Sequence, residues 1–172
     1  GGVAVVLSHR GREHPMLARL KQRAASGEWG PLVQVRAQDK GDHRAGAEDA
    51  MIHATHVLDV MLFIVGVGPI SCWGSVMHQG RPATRADAAP LPVYDAGPTA
   101  GDRIVAGFQF PNGVLGSYES LPVDDGTWGS ERLGCDFYFQ QAIVTARGQP
   151  GGRFHLYPHG GLFPHAELGA WT

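Results

Sequence analysis

Asp49, His53, His56 and Asp59 interrupt the largely apolar run AEDAMIHATHVLDVMLFIVG at 47–66. At about 100° per residue, a helix through this run places Asp49, His53 and His56 within roughly a 60° arc, with Asp59 just beside it. An imidazole on a rigid, partly dry helix exchanges protons near neutral pH without a large shift, and a carboxylate on the same face can fix its tautomer. That combination suits general acid–base chemistry. Two residues also have plain structural readings. Asp49 fits the first turn of a helix, where the dipole favours an acid, and His53 fits a hydrogen-bonded core histidine.

The same residues make a poor metal site. His53 and His56 stand at i, i+3, not at the i, i+4 of H-E-x-x-H, and no glutamate lies between them. A second loose group, His155, His159 and His165, falls in a Pro- and Gly-rich stretch and reads as structural. No metal is assigned.

A helix carrying such a cluster needs a scaffold, and the chain is long enough to build one. Its 172 residues are 43% hydrophobic and 17% charged, as expected of one folded domain with a real core. With 14 Lys plus Arg and a formal net charge of -2, there is no basic stripe for nucleic acid or anionic membrane, which leaves small-molecule chemistry. Cys72 and Cys135 are far apart, make no metal-ligand spacing and read as reduced buried thiols, so a cytoplasmic protein is expected. No run reaches the roughly 18 apolar residues of a membrane helix. The absence of an initiator Met and of a signal-like start suggests a fragment.

The run VAVVL at 3–7 suits a strand buried on both faces of a parallel sheet. Pro15 then opens a helix, with Met16, Leu17 and Leu20 at helical spacing and Gly27 to stop it. From residue 32 the texture becomes antiparallel. Strands are expected at 32–37, 70–78, 103–110, 114–120, 131–139, 142–147 and 153–157, with Pro111-Asn112-Gly113 closing a hairpin. Residues 79–101, with Pro82, Pro90, Pro92 and Pro98, form a long connection read as an exposed loop. The fold expected is α+β: an open, mostly antiparallel sheet covered by helices, preceded by the last β-α unit of a Rossmann domain.

The order of these signals resembles the glucose-fructose oxidoreductase, inositol dehydrogenase and rhizopine-catabolism (Gfo/Idh/MocA) family. The residues that carry the likeness are R-x-x-P at 12–15, S-G-E-W-G at 26–30, H-x-x-D-x-M-x-F-x-x-G at 56–66 and D-R-x-x-A-x-x-x-F-x-N-G at 102–113. The resemblance implies a two-domain oxidoreductase. Residues 1–30 would close a dinucleotide-binding domain, and 31–172 would form the C-terminal substrate and oligomerisation domain. NAD or NADP would be held mainly by upstream residues, since neither the Gly-rich phosphate loop nor the family's lysine motif occurs here. The implied partner is a sugar, cyclitol or related polyol, and a homo-oligomer through the open sheet is expected.

In the family the helix reads Asp-x-x-x-His, and the histidine takes the hydroxyl proton while hydride leaves carbon. His56 matches that histidine. Ile52 stands where the aspartate would be, with Asp49 and His53 as the nearest replacements in support of His56. Asp59 matches the family's second acid and is a candidate substrate or domain contact. Lys40 and Arg44, just before the helix, are candidate substrate ligands, and Arg12 a cofactor or domain-junction residue. A second departure is Phe139-Gln140-Gln141-Ala142 after Tyr138, where the family has a Gly-containing turn. Two rivals remain open: a non-catalytic ligand-binding or oligomerisation module of the same fold, and a relative using NAD transiently for lyase, epimerase or glycosidase chemistry.

Overall fold

The computed structural model of the chain describes residues 9–38, 44–91, 97–123, 132–148, 152–158 and 169–170. The expected strand at 3–7 lies outside them, as do Lys40, His159 and His165.

A short turn of helix, α1 (Arg10–Glu13), leads into α2 (Pro15–Ser26). Proline at its first position needs no hydrogen-bond partner, and Gly27 ends it at φ 74°, a conformation that favours glycine. After β1 (Leu32–Gln38) come α3 (Ala47–Ile52) and α4 (Ala54–Val65). The remaining strands are β2 (Ser71–His78), β3 (Arg81–Pro82), β4 (Ala89–Pro90), β5 (Pro98–Thr99), β6 (Arg103–Gln109), β7 (Leu115–Ser120), β8 (Gly134–Phe139), β9 (Ala142–Arg147), β10 (Arg153–Pro158) and β11 (Gly169–Ala170).

Nine strands join in one sheet in the order β11-β10-β9-β8-β1-β7-β6-β2-β3, and β4 pairs with β5 separately. All its pairings are antiparallel except β1 with β7, so the open, mostly antiparallel sheet expected from the sequence is what forms. The hairpin at Pro111-Asn112-Gly113 joins β6 to β7 as expected. The connection at 79–101 is more ordered than a plain loop. It carries β3, a single 3-10 turn (Arg85–Asp87), β4 and β5, and a capping box between Thr84 and Asp87.

Alternation decides which face is core. Val35 and Ala37 of β1, Tyr118 of β7, Cys135 and Phe137 of β8, and Val144 of β9 are all buried, and they share one face by register. Helix α4 lays Val57, Met61 and Ile64 on that face, and Leu17 and Leu20 of α2 join the same core. Each fully buried side chain of this size contributes roughly 1.5–3 kcal/mol relative to exposure. The opposite face has no helix layer among the described residues. There Trp73, Val105 and Leu115 are exposed, and the Trp73 ring lies directly over Gly107, where any side chain would displace it.

The departure at 139–142 has a visible consequence. Gln140 and Gln141 form a two-residue turn, and their amides donate outward to the carbonyls of Pro31 (3.0 Å) and Trp29 (2.9 Å). The turn is thereby tied to the segment between α2 and β1, with the Trp29 and Phe139 rings 5.1 Å apart.

The helix expected as one piece across 49–65 is two. His53 separates α3 from α4, with its carbonyl accepting from His56 N (2.9 Å), an i+3 bond that tightens the chain locally. Before α3, Gly46 adopts φ 63°, its amide donating to Ser120 Oγ (2.7 Å) while Ala47 N donates to Gly101 O (3.2 Å). A Cβ at Gly46 would stand 2.5 Å from Gly101 O and 2.6 Å from Arg103 N. Gly46→Ala is therefore expected to destabilise the protein by more than 1 kcal/mol, about what a strained backbone residue costs, read by urea unfolding. An unchanged midpoint would refute this account of how α3 is seated.

Candidate functional site

The break at His53 splits the polar cluster into two environments. Asp49, at the end of the first turn of α3, is fully buried. Its Oδ1 lies 3.0 Å from His53 Nδ1, and its Oδ2 accepts from the Tyr118 hydroxyl at 2.7 Å. A carboxylate on Nδ1 selects the tautomer with the proton there and leaves Nε2 as the free ring nitrogen. Asp49, His53 and Tyr118 thus form one satisfied network between α3 and β7.

His56 lies on the other side of that tightened turn. Helical spacing put it on the arc of Asp49 and His53, and the i+3 step keeps it beside His53, but both Asp49 oxygens are already taken by His53 and Tyr118. His56 is exposed, and its ring packs edge-on to His9, with centroids 6.0 Å apart. Partial burial, and then the neighbouring His9 and His53, push its pKa below the usual 6.5, while Asp59 pulls the other way. His56 is accordingly neutral at pH 7 and able to accept a proton.

Asp59 is held by Arg12. The Arg12 Nε reaches both carboxylate oxygens (3.0 and 2.8 Å), and its Nη2 reaches Oδ1 at 2.6 Å, a two-pronged pair that ties α1 to α4. The Asp59 hydrogen bond, reinforced by its charge, raises the Arg12 pKa. The Arg12 guanidinium also lies 5.7 Å from the Phe63 ring centroid. Arg44 is half-buried in the approach to α3.

His56 faces a cavity of about 310 Å³ between α1, α2, α4 and the ends of β8, β9 and β10. Leu17, Val60, Cys135 and Phe154 supply much of its wall, and His14, His56 and Arg147 supply ring nitrogens and a guanidinium. His14 accepts from Met16 N through Nδ1 (3.2 Å) and stacks on Phe154 at 5.4 Å. Arg147 pairs with Asp136. Burial pushes the Cys135 thiol up to about 12, so it remains protonated and packs as an apolar group.

Reading the sequence missed Tyr118, His9 and His14. Tyr118 carried a signal: it sits at a core-facing position of an alternating strand, and a buried phenol needs a hydrogen-bond partner. His14 precedes Pro15, a helix-start pattern that marks a cap but not a cavity wall. Nothing local marks His9.

Arg12 is committed to Asp59, and the Gly66-Val67-Gly68 segment follows a helix and leads into β2, the reverse of a strand-to-helix phosphate turn. No group of three or more His, Cys, Asp or Glu among the described residues is arranged to hold a metal ion. No described helix is long and apolar enough to cross a membrane.

No protein-family profile matches the chain, and neither does any curated protein. Solved structures do match. An oxidoreductase domain protein from Kribbella flavida is 19% identical with a TM-score of 0.64, covering 95% of this chain and 46% of that one. Levoglucosan dehydrogenase in complex with NADH and L-sorbose is 17% identical with a TM-score of 0.66, covering 98% and 47%. The super-repressor mutant of Gal80p from Saccharomyces cerevisiae is 15% identical with a TM-score of 0.68, covering 99% and 47%. The chain spans about half the length of these structures, and what it shares with them is the fold. That fold is consistent with the C-terminal domain of the Gfo/Idh/MocA proteins.

Proposed function

We propose that these residues form the substrate side of an NAD(P)-dependent oxidoreductase acting on a sugar, cyclitol or related polyol. The observation that carries this reading is His56: an imidazole with a lowered pKa facing a cavity, on a fold shared with dehydrogenases, and the residue that the sequence resemblance pairs with the family's acid/base histidine. In the oxidative direction His56 takes the hydroxyl proton, and in the reductive direction it returns it. NAD or NADP supplies the hydride chemistry and is held outside the described residues. Asp49, His53 and Tyr118 support His56 from behind by fixing the turn on which it sits. Asp59 and Arg12 lock α1 against α4, a junction role. Lys40 and Arg44 remain candidates for contacts to substrate hydroxyls.

The reading is tested by calorimetric titration of NAD and NADP into a protein containing this chain and its dinucleotide domain, beside the 172-residue chain alone. Binding by the first and not the second supports it, and binding by neither sinks it. A second reading, a non-catalytic ligand-binding module, is favoured by Ile52 at the family's aspartate position, and by a neighbour described as a repressor mutant. Under it, His56→Ala would cost the protein little.

Self-association through the helix-free face of the sheet belongs to the same proposal. Trp73, Val105 and Leu115 offer exposed apolar surface there, and a second copy of this chain would cover it. Trp73→Lys combined with Val105→Glu is expected to convert the protein to a monomer by analytical ultracentrifugation without unfolding it. A wild-type monomer, or a double variant that still associates, would contradict this part.

A further inference from the structure

The wall of the cavity beside His56 restricts what can enter it, an inference that rests on the reading of His56 above and narrows it to a substrate class. Leu17, Val60 and Phe154 are apolar, and the Cys135 thiol points its weak donor to Val57 O at 3.6 Å. The polar groups are few and mostly engaged. His14 uses Nδ1 to accept from Met16 N, which leaves Nε2–H as a donor. Arg147 is paired with Asp136 and also donates to Ala146 O (3.3 Å), so its charge is compensated.

A polyhydroxylated ring pushed against Leu17, Val60 and Phe154 would leave the hydroxyls that face them without partners, which is costly wherever those hydroxyls lose water. An anion would meet only a guanidinium already neutralised by a carboxylate. An apolar group would lie against Leu17, Val60 and Phe154, with one hydroxyl left to meet the imidazoles. At about 310 Å³ the space is at the small end of ligand pockets, room for one ring-sized substituent. We propose that the cavity takes a neutral hydroxyl compound bearing an apolar substituent, such as an aryl or alkyl ether of a polyol, and rejects phosphorylated and carboxylated sugars.

Three probes separate the terms: benzyl alcohol has an apolar ring and one hydroxyl, myo-inositol has hydroxyls without the apolar ring, and benzoate has the ring with a negative charge. Affinities are read by calorimetry and ligand-observed NMR on the intact protein. Benzyl alcohol is expected to bind roughly tenfold or more tightly than either of the others, the value of burying an aromatic face. Val60→Phe, which fills the space from α4, is expected to remove that preference. Ala146→Leu fills it from β9 and replaces the first variant if that one does not fold. Equal binding of all three probes, tighter binding of myo-inositol or benzoate, or benzyl alcohol binding untouched by the filling variant would overturn the proposal. The two readings fail separately. A retained benzyl alcohol preference without any NAD(P)-linked activity sinks the oxidoreductase reading alone, and NAD(P)-linked oxidation of unsubstituted polyols without the preference sinks the substrate class alone.

Discussion

Replacing His56 by Ala is expected to lower kcat/KM for NAD(P)-linked oxidation by roughly 10²–10⁴-fold, the usual contribution of a positioned acid/base, with little change in fold. The side chain is exposed and makes its one ring contact with His9, so its removal leaves the core of α4 intact. The pH dependence carries a sign. Because burial and the neighbouring imidazoles lower the His56 pKa below 6.5, the base form dominates at neutral pH, and oxidation falls only as pH drops through that lowered value. Reduction, which needs the proton, rises over the same window. Stability follows the oxidative limb: between the lowered value and 6.5 the unfolded chain binds the proton that the folded chain does not, so stability rises with pH there. His56→Ala should remove both the acidic limb of the rate profile and this stability increment. Steady-state kinetics across pH 5–8, with unfolding followed over the same range, measures both. An unchanged acidic limb in the variant would assign the proton to another group.

The second large effect is on stability and belongs to Asp49. Asp49→Ala removes the carboxylate that accepts from the buried Tyr118 hydroxyl and that fixes the His53 tautomer, and opens a void under α3. The expected cost is about 2–4 kcal/mol, the sum of two lost buried hydrogen bonds and lost packing. Tyr118→Phe keeps the ring and removes one hydrogen bond, at about 1–2 kcal/mol. For a chain of this size each kcal/mol lowers Tm by roughly 2–4 °C, so differential scanning calorimetry separates the two variants. If Asp49→Ala were no less stable than Tyr118→Phe, the carboxylate would not be the centre of the network.

Strand β6 was legible because it shows the period of two that a half-buried sheet requires. Ile104, Ala106 and Phe108 on β6 alternate with Arg103, Val105 and Gln109, and the Asn112-Gly113 turn fixes the hairpin register. The end of α2 was legible from Gly27 for the same local reason. The parallel β1–β7 pair at the centre of the sheet was not, since pairing partners 80 or so residues apart leave no local mark.

The candidate site was legible in residue type and misleading in arrangement. Asp49, His53, His56 and Asp59 all stand on α3 or α4 or at their junction, as their spacing promised. Spacing along a helix says nothing of burial, however: Asp49 is buried with His53 and Tyr118 as its hydrogen-bond partners, while His56, beside His53, is exposed at the cavity. The partners that complete each environment, Tyr118 and Arg12 by hydrogen bonding and His9 by ring contact, come from other elements, where periodicity along the helix says nothing.

The central claim, that this chain serves nicotinamide-linked oxidation of a hydroxyl, is met most directly by one assay. A protein containing these residues together with its dinucleotide domain is incubated with NAD or NADP and a panel of sugars, cyclitols and their aryl and alkyl ethers, and reduced nicotinamide is followed by absorbance. The account predicts reduction with at least one neutral member of the panel, lost in His56→Ala. No reduction with any member, in a protein that is folded and binds neither nucleotide, would contradict it.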